Sequence, residues 1–432
     1  MSDTIFALSS GHGKAGIAVI RISGSEVSPF SGKPQPRRAY LTNLTDENGA
    51  LIDQCIVIYF SAPNSFTGED MIEIHCHGAP AVVRKIFEFL RGRGMRMAEP
   101  GEFSRRAFYN NKIDLAEVDG LAALLDARTD RQRAAALKSM TGGDSTAYES
   151  WRAQMVEIAA YSAAILDYPA DELPKNIGAQ LLAQTKKLYE EIIAALNGYA
   201  AARAIRSGFN IVLAGETNVG KSSLFNRLVG SARAIVSDIP GTTRDLVGAE
   251  LDIDGYLVNL SDTAGLRDSD DSIEKIGIEK TYEAVREADL IIRVQSAECQ
   301  TRPDTAQENE IIVINKSDLL DKDRALKSKH CVLVSAHTGA GIPELLDKIK
   351  KKIHDALDGA ESDISVNERA RGLLIMARDE LKSALDARHL EINYDIFAEH
   401  VRAAADCIGR VLGVISASEV MDAAFGQLCL GK

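Results

Sequence analysis

A glycine-rich segment at residues 215–222, GETNVGKS, constrains this chain most, because it fits the pattern GxxxxGK[S/T]. It directly follows the apolar run NIVLA at 210–214 and opens the helix-forming segment SLFNRLV. Glycines in such a turn let backbone N–H groups surround phosphate oxygens, and the helix that follows adds the positive end of its dipole. The segment therefore predicts that Lys221 reaches the β and γ phosphates of a nucleotide and that the Ser222 hydroxyl ligates Mg²⁺. The alternative is a glycine-rich turn with a chance GKS.

Three later segments occur in the order that a GTPase requires. DTAG at 262–265 ends the strand-like YLVNLSD, which would place a carboxylate near the metal and a backbone amide near the γ-phosphate. NKSD at 315–318 ends EIIVI, where a carboxylate accepts two parallel hydrogen bonds from guanine that adenine does not offer. SA at 335–336 follows CVLV and would close over the base. The motifs predict GTP, bound by Asn218, Val219, Gly220, Lys221, Ser222, Ser223, Asp262, Thr263, Ala264, Gly265, Asn315, Lys316, Asp318, Ser335 and Ala336.

The segment GTTRD at 241–245 predicts a switch loop, in which Thr243 completes the Mg²⁺ shell when the γ-phosphate is present. A polar turn is the alternative interpretation. In Ras-like enzymes a Gln after the DxxG glycine orients the attacking water, and Leu266 holds that place here. The acidic stretch 267–274 is the predicted source of a substitute carboxylate, although taken alone it is equally typical of a solvated loop.

Around these motifs, short β-rich runs alternate with helical stretches from Asn210 onward, which indicates an α/β block. Asp254-Gly255 separates two alternating apolar runs, so we predict a hairpin and one antiparallel edge pair on an otherwise parallel sheet. The block ends in a predicted helix that starts near Pro343. Its apolar face consists of Leu345, Leu346, Ile349, Ile353 and Leu357.

Both flanks of the block have apolar residues at helical spacing, at 181–196, 373–385 and 397–412, and Ser416 with Glu419 has the spacing of a capping box. The flanks therefore predict one helical domain into which the α/β block is inserted. The first 113 residues mix strand-like runs with one helix after a proline, which indicates an α+β domain. The predicted domains are 1–113, the helical domain at 114–207 and 358–432, and the α/β domain at 208–357.

Composition restricts the partners and the compartment. The formal net charge of −12 argues against nonspecific polyanion binding, although residues 1–113 carry slightly more Lys and Arg than Asp and Glu. The apolar runs are short against the roughly 20 residues of a membrane span, and the N-terminus lacks a basic leader. The six cysteines are scattered singly, which favours a reducing, cytoplasmic setting without a membrane.

Several further segments resemble those of one family, the MnmE (TrmE) tRNA-modification GTPases, and the resemblance runs from end to end. They are DTIFALSS, VIRISG, SFTGEDMIEIHCHG, PGEFSRRAFYNNKIDLAEVDGLAALLDA, GETNVGKSSLFN, IPGTTRD, DTAGLR and LCLGK. The resemblance implies an inserted Ras-like G domain and an N-terminal domain similar to folate-binding domains, which dimerises. It also implies a 5-formyl or 5,10-methylene tetrahydrofolate, held by Arg21, Glu73, Lys112 and Lys432.

The same resemblance implies hydrolysis activated by K⁺ and by pairing of two G domains. The implied K⁺ ligands are Asn218 and the loop that contains Ser237, Ile239 and Thr242. Glu274 would orient the attacking water, and Cys429 matches a cysteine of the family's C-terminal signature. With a FAD-dependent partner, MnmG, the family adds an aminomethyl-type group to C5 of the tRNA wobble uridine. The folate supplies the methylene carbon.

Two alternatives stay open. A ribosome-assembly GTPase of the Era or EngA kind would share the middle of the chain but needs a basic RNA-binding appendage, which the acidic remainder of the chain does not suggest. A folate-dependent aminomethyltransferase with a nucleotide sensor would not need GTP hydrolysis. The segment His75-Cys76-His77 could suggest a metal, but in a strand its histidines face away from the cysteine, so a structural role is favoured.

Overall fold

A computed structural model describes the chain in nine ranges. They are residues 3–28, 34–167, 176–235, 248–262, 285–297, 307–320, 331–357, 364–386 and 394–414. The chain forms two compact units. The first consists of Met1–Ala122, Lys138–Leu181 and Ser383–Lys432, and the second of Ala123–Leu137 and Leu182–Lys382. The boundaries of the three predicted domains stay a prediction.

The described strands, in chain order, are β1 (Ile5–Leu8), β2 (Ile17–Ser23), β3 (Ala39–Thr45), β4 (Leu51–Phe60), β5 (Met71–His77), β6 (Arg96–Met97), β7 (Phe209–Ala214), β8 (Arg233–Ala234), β9 (Gly248–Ile253), β10 (Tyr256–Asp262), β11 (Leu290–Ser296), β12 (Glu310–Asn315) and β13 (Cys331–Leu333). The described α-helices are α1 (Pro80–Gly92), α2 (Glu102–Tyr109), α3 (Leu115–Asp126), α4 (Asp130–Met140), α5 (Gly143–Asp167), α6 (Ile177–Asn197), α7 (Tyr199–Ser207), α8 (Lys221–Ser231), α9 (Ile342–Leu357), α10 (Glu368–Asp386) and α11 (Tyr394–Leu412).

The first unit contains a six-stranded sheet in the order β3-β4-β5-β2-β1-β6. Its pairs are antiparallel except for β1 with β6. Helix α1 starts at Pro80. Proline lacks a backbone N–H, but the N–H at the first position of a helix has no partner within the helix, so no hydrogen bond is lost. The helix buries Ile86, Phe89 and Leu90. The predicted α+β character and the helix after the proline are confirmed.

Alternation in β2 and β5 assigns their side chains to the two faces of the first sheet. Ile20 and Ile22 on β2, and Ile72 and Ile74 on β5, are completely buried in the core. The residues between them point to the opposite face, because successive side chains of a strand alternate. Arg21 on β2 and Glu73 on β5 therefore lie opposite each other on that second face.

The second unit contains a seven-stranded sheet in the order β13-β12-β11-β7-β10-β9-β8. The five strands from β13 to β10 pair in parallel, and β9 and β8 add antiparallel partners at one edge. The hairpin turn has Asp254 and Gly255 at φ angles of 57° and 82°, as a two-residue turn of this kind requires. The predicted hairpin and its antiparallel edge pair are confirmed.

The helices also match the sequence pattern where the structure describes them. Helix α9 buries Leu345, Ile349, Ile353 and Leu357 against the second sheet, as predicted, and the fifth residue of the predicted face, Leu346, is partly buried there. In the first unit, α11 packs against α5 and buries its predicted apolar face. The helix expected near Ser416 lies outside the described residues. Among the helices that the structure describes, none combines the length with the apolar composition that a bilayer-crossing segment needs.

Candidate functional site

The nucleotide candidate lies at the carboxyl ends of the parallel strands of the second sheet. Strand β7 ends at Ala214 and α8 begins at Lys221, so the predicted phosphate loop connects them. Gly215 has φ +152°, and a Cβ there would lie 2.2 Å from the carbonyl oxygen of Val294 on β11. A Cβ on Gly220, at φ +90°, would lie 2.3 Å from Nδ2 of Asn315. The two glycines are therefore required by backbone conformation and by close neighbours.

Lys221 lies inside this loop and is only 7% exposed. Its Nζ donates hydrogen bonds to the carbonyl oxygens of Gly215 and Glu216, at 3.0 and 2.8 Å. The loop thus holds an ammonium group beside the N-terminus of α8, where backbone donors and the helix dipole favour an anion. This arrangement can bind a phosphate chain.

The predicted Mg²⁺ ligands of α8 and β10 are brought together. The Ser222 hydroxyl donates a 2.7 Å hydrogen bond to Oδ2 of Asp262, which is 3% exposed at the end of β10. A hydroxyl and a carboxylate supply the hard oxygen donors that Mg²⁺ prefers, with phosphate oxygens and water completing its octahedron. The residues present fit the ion.

Asn315 connects the phosphate loop to the base loop, the segment beginning with Ser335-Ala336 that is predicted to close over the guanine base. Its Nδ2 donates to the Val219 carbonyl oxygen at 3.0 Å, and its Oδ1 accepts from the Ala336 backbone N–H at 3.0 Å. Asn315 is 2% exposed, so both contacts are shielded from water. One buried amide therefore fixes the distance between the two ends of the candidate site.

The carboxylate predicted to bind guanine is Asp318, which is exposed at the end of the NKSD segment. A hydrogen bond from the buried Ser335 hydroxyl holds the pKa of Asp318 below its usual value. Lys316 takes a φ of 61° and begins the short 3-10 turn that carries Asp318. The side chain is thus an ionised acceptor at neutral pH, ready for two parallel N–H donors.

The predicted switch, water-orienting and C-terminal positions lie outside the described residues, namely Ser237, Ile239, Thr242, Thr243, Thr263, Ala264, Gly265, Glu274, Cys429 and Lys432. Asn218 is described and has φ 62° in the phosphate loop.

A second candidate lies on the face of the first sheet opposite the Ile20 and Ile22 side chains. Arg21 and Glu73 are directly opposite each other on β2 and β5, and Arg21 Nε donates to Glu73 Oε1 at 2.8 Å. Their side chains are 25% and 16% exposed. The Arg21 guanidinium lies 5.8 Å from the centre of the Phe66 ring, and His75 Nε2 lies 3.3 Å from Glu73 Oε2. The structure thus joins a cation, an anion and an aromatic face.

Lys112 approaches the loop that carries Phe66. A Cβ on Gly68 would lie 3.2 Å from Lys112 Cγ, so the lysine stem packs against this loop. Asn110 Nδ2 donates to the Thr67 carbonyl oxygen at 2.7 Å in the same place. The structure therefore places Lys112 beside the loop, whereas it joins Arg21 and Glu73 directly.

Sequence reasoning missed the charged network that fixes this loop. Arg106, on α2, donates to Glu69 at 3.0 Å and to Glu102 at 3.0 Å. Glu69 also accepts from the Ser23 hydroxyl at 2.8 Å, which links the loop to the end of β2. Burial would raise the pKa of Glu102, but hydrogen bonds from Arg96 and neighbouring groups hold it below its usual value. The available signal was the density of charges in SFTGED and PGEFSRRAFYN.

The HCH segment of β5 has the predicted alternation. Cys76 is buried in the core, and burial raises the pKa of its thiol to about 11. His75 faces Glu73, and Nδ1 of His77 lies 2.8 Å from Asp53 Oδ1. These separate contacts, and the lack of a group of three or more metal-ligating side chains among the described residues, agree with a structural role.

Comparison with known proteins gives matches along the whole chain. Residues 4–112 match the family described as GTP-binding protein TrmE N-terminus, and residues 115–429 match the MnmE helical domain. The tRNA modification GTPase MnmE of Acidiphilium cryptum is 40% identical over 100% of this chain and 99% of its own length. Proteins of the same description from Agrobacterium fabrum and Hyphomonas neptunium are 38% and 37% identical, with the same coverage.

Proposed function

The chain belongs to the MnmE family of tRNA modification GTPases, and from this premise we propose that it hydrolyses GTP to drive modification of tRNA. The observation that carries the proposal is the buried connection through Asn315, which joins a loop fitted to phosphate to a loop fitted to guanine. A protein that bound phosphate alone would not need this connection.

In the proposed GTPase step, the described residues bind and orient the nucleotide. Lys221 would donate to the β and γ phosphates, and Asp318 would accept from the N1–H and amine of guanine. Ser222 and Asp262 would hold Mg²⁺, which would neutralise charge on the phosphates when bound. Thr243 would complete that shell, and Glu274 would orient the attacking water.

We further propose that K⁺ binds beside the phosphates, because the family resemblance implies it and Asn218 occupies the required loop. Its other ligands would come from Ser237, Ile239 and Thr242. A cation there would neutralise charge that develops between the β and γ phosphates, the task of an arginine finger in other GTPases.

For the first unit we propose a tetrahydrofolate site, carrying a 5-formyl or 5,10-methylene group. Glu73 can accept from the donor edge of a pterin, while Arg21 and Lys112 suit carboxylates or polar ring edges. The Phe66 ring adds an aromatic face to the pair. Lys432 would contribute from the C-terminus.

The complete proposed activity is addition of an aminomethyl-type group to C5 of the tRNA wobble uridine. The chain would act as a cytoplasmic homodimer with the FAD-dependent protein MnmG. Its domains would follow the predicted boundaries, with folate binding at 1–113, the helical domain at 114–207 and 358–432, and the G domain at 208–357. Cys429 would take part in the modification step.

The test uses the full chain reconstituted with MnmG, folate and tRNA. Lys221→Ala removes the ammonium from the phosphate loop, so we expect both GTP hydrolysis and tRNA modification to fall at least 100-fold. Lys351→Ala, at an exposed position of α9, is the matched control and keeps both activities. Full modification by the Lys221→Ala chain would refute the proposal and favour an aminomethyltransferase with a nucleotide sensor.

Potassium dependence is measured on the same preparation as the rate of GTP hydrolysis in KCl and in NaCl. We expect hydrolysis to be at least tenfold faster in KCl, because Na⁺ is too small for a site built for K⁺. Equal rates in the two salts would remove the potassium assignment while leaving the GTPase assignment intact.

A further inference from the structure

We propose that Arg227 is a positioning residue for guanine binding, which sets how tightly the chain holds guanine nucleotides through the backbone of the base loop. The inference rests on the proposed GTP site and adds a residue that none of the GTPase motifs contains. Arg227 lies on α8, the helix whose N-terminus forms the phosphate site.

The geometry of Arg227 is that of a clamp on two successive peptide groups. Its Nε donates to the Ala336 carbonyl oxygen at 2.9 Å, and its Nη2 donates to the His337 carbonyl oxygen at 2.6 Å. Hydrogen bonds from a charged donor are shorter and stronger than those between neutral groups. The contact with Ala336 is partly buried, which limits competition from water there, whereas the contact with His337 is exposed.

The clamp acts on a peptide segment that is fixed at its other end as well. The Ala336 N–H donates to Asn315 Oδ1 at 3.0 Å, while the Ala336 carbonyl accepts from Arg227. Within the same turn, the Ser335 N–H donates to the Ala340 carbonyl oxygen at 2.9 Å. Ala336 is therefore held on its amide side by the phosphate loop through Asn315, and on its carbonyl side by the phosphate-binding helix.

The two backbone contacts of Arg227 connect it to the predicted guanine-binding residues. Ser335 directly precedes the clamped Ala336, and its hydroxyl acts on Asp318, so a displaced loop would change the surroundings of the carboxylate that accepts guanine. Loss of the clamp should therefore weaken binding at the base end of GTP. Lys221 and Ser222 keep their own contacts, so the reaction at the γ-phosphate should continue at its normal rate once GTP is bound.

The experiment uses the full chain with Arg227→Met, which keeps the aliphatic stem and removes the donors, and Arg227→Lys, which keeps one charged donor group. Release of fluorescent GDP is measured by stopped flow, and GTP hydrolysis by steady-state kinetics. For Arg227→Met we expect GDP release 10- to 100-fold faster and a KM for GTP raised by a similar factor, with kcat within twofold of wild type. Arg227→Lys should recover part of the loss, because an ammonium can reach one of the two carbonyls.

Arg293→Met is the matched control. It makes the same substitution at another arginine of the second unit, whose partner lies outside the proposed nucleotide site. Arg293 pairs with the buried Glu310 between β11 and β12. This variant should lower the thermal midpoint without changing GDP release or the KM.

Wild-type GDP release by Arg227→Met would overturn the inference while leaving the GTPase proposal standing. Equal losses of kcat and of GDP affinity, together with a lowered thermal midpoint, would show a merely structural role and would also overturn it. A wild-type chain that binds neither GDP nor GTP would overturn both proposals.

Discussion

Asn315→Ala tests the connection between the two halves of the nucleotide site most sharply. The substitution removes one donor and one acceptor from a buried position. The Val219 carbonyl loses a 3.0 Å hydrogen bond, and the Ala336 N–H loses another of 3.0 Å. Because the methyl group of alanine replaces the amide without closing the gap, the direct connection between Val219 and Ala336 is lost, while the contacts of Arg227 still hold the base loop to α8.

The magnitude follows from these contacts. A net contribution of about 1 kcal/mol for each hydrogen bond, plus the cost of leaving buried groups without partners, gives about 2–4 kcal/mol in total. If that cost falls on the nucleotide-bound arrangement, the affinity for GDP should decrease about 30- to 700-fold, since about 1.4 kcal/mol corresponds to a factor of ten.

The assay is a fluorescence titration of the full chain with labelled GDP, with Asn259→Ala as the matched control. Asn259 Nδ2 also donates two hydrogen bonds, to Ser207 O and Asn210 Oδ1, both at 2.9 Å. These contacts lie near the start of β7, away from the phosphate loop, so this variant should bind GDP like wild type. Equal GDP affinities for Asn315→Ala and Asn259→Ala would refute the reasoning.

Three further predictions concern close packing, acid stability and the first-unit site. Gly215→Ala should abolish GDP binding in a titration, because the new Cβ would lie 2.2 Å from a backbone oxygen. The control Gly230→Ala, whose new Cβ would have nothing within 4 Å, should bind GDP normally. Equal GDP affinities for the two variants would contradict this prediction. Because the pKa of Glu102 is lowered in the folded chain, its carboxylate stabilises the fold above about pH 4.5 and loses that contribution as the pH falls. Glu102→Gln should therefore flatten the acid limb of the thermal midpoint plotted against pH, and an unchanged acid limb would show that the ion pairs contribute nothing. Arg21→Met should weaken binding of 5-formyltetrahydrofolate at least tenfold by calorimetry while leaving the KM for GTP unchanged, and undiminished folate binding would remove Arg21 from the site.

The elements that the sequence predicts correctly are those set by local chemistry. The hairpin at Asp254 and Gly255 follows from two residues that tolerate positive φ. Helix α9 follows from apolar residues at helical spacing. The phosphate loop follows from glycines at fixed offsets from a lysine.

Contacts between distant residues could not be predicted in this way. Asn315 reaches Val219 across 96 residues, and Arg227 reaches Ala336 across 109. The motif indicated that Asn315 belongs to a nucleotide site but did not indicate which backbone groups it joins. Arg227 stands in SLFNRLV as an ordinary helical cation, and only the folded chain brings it to the base loop.

The first unit shows the same limit for sheet order and buried charge. Alternation in β2 indicates which face is buried, but not that β2 lies between β5 and β1. Arg106 and Glu69 are separated by 37 residues and read as separate surface charges, yet they form one network around the loop of Phe66.

The central claim is that cleavage of GTP in this chain drives the modification of tRNA. The most direct measurement is mass spectrometry of the wobble uridine after incubation of the chain, MnmG, folate and tRNA with GTP, or with an analogue whose β–γ bridge resists cleavage. The account predicts C5 modification with GTP and only background with the analogue. Equal modification with both nucleotides would contradict it.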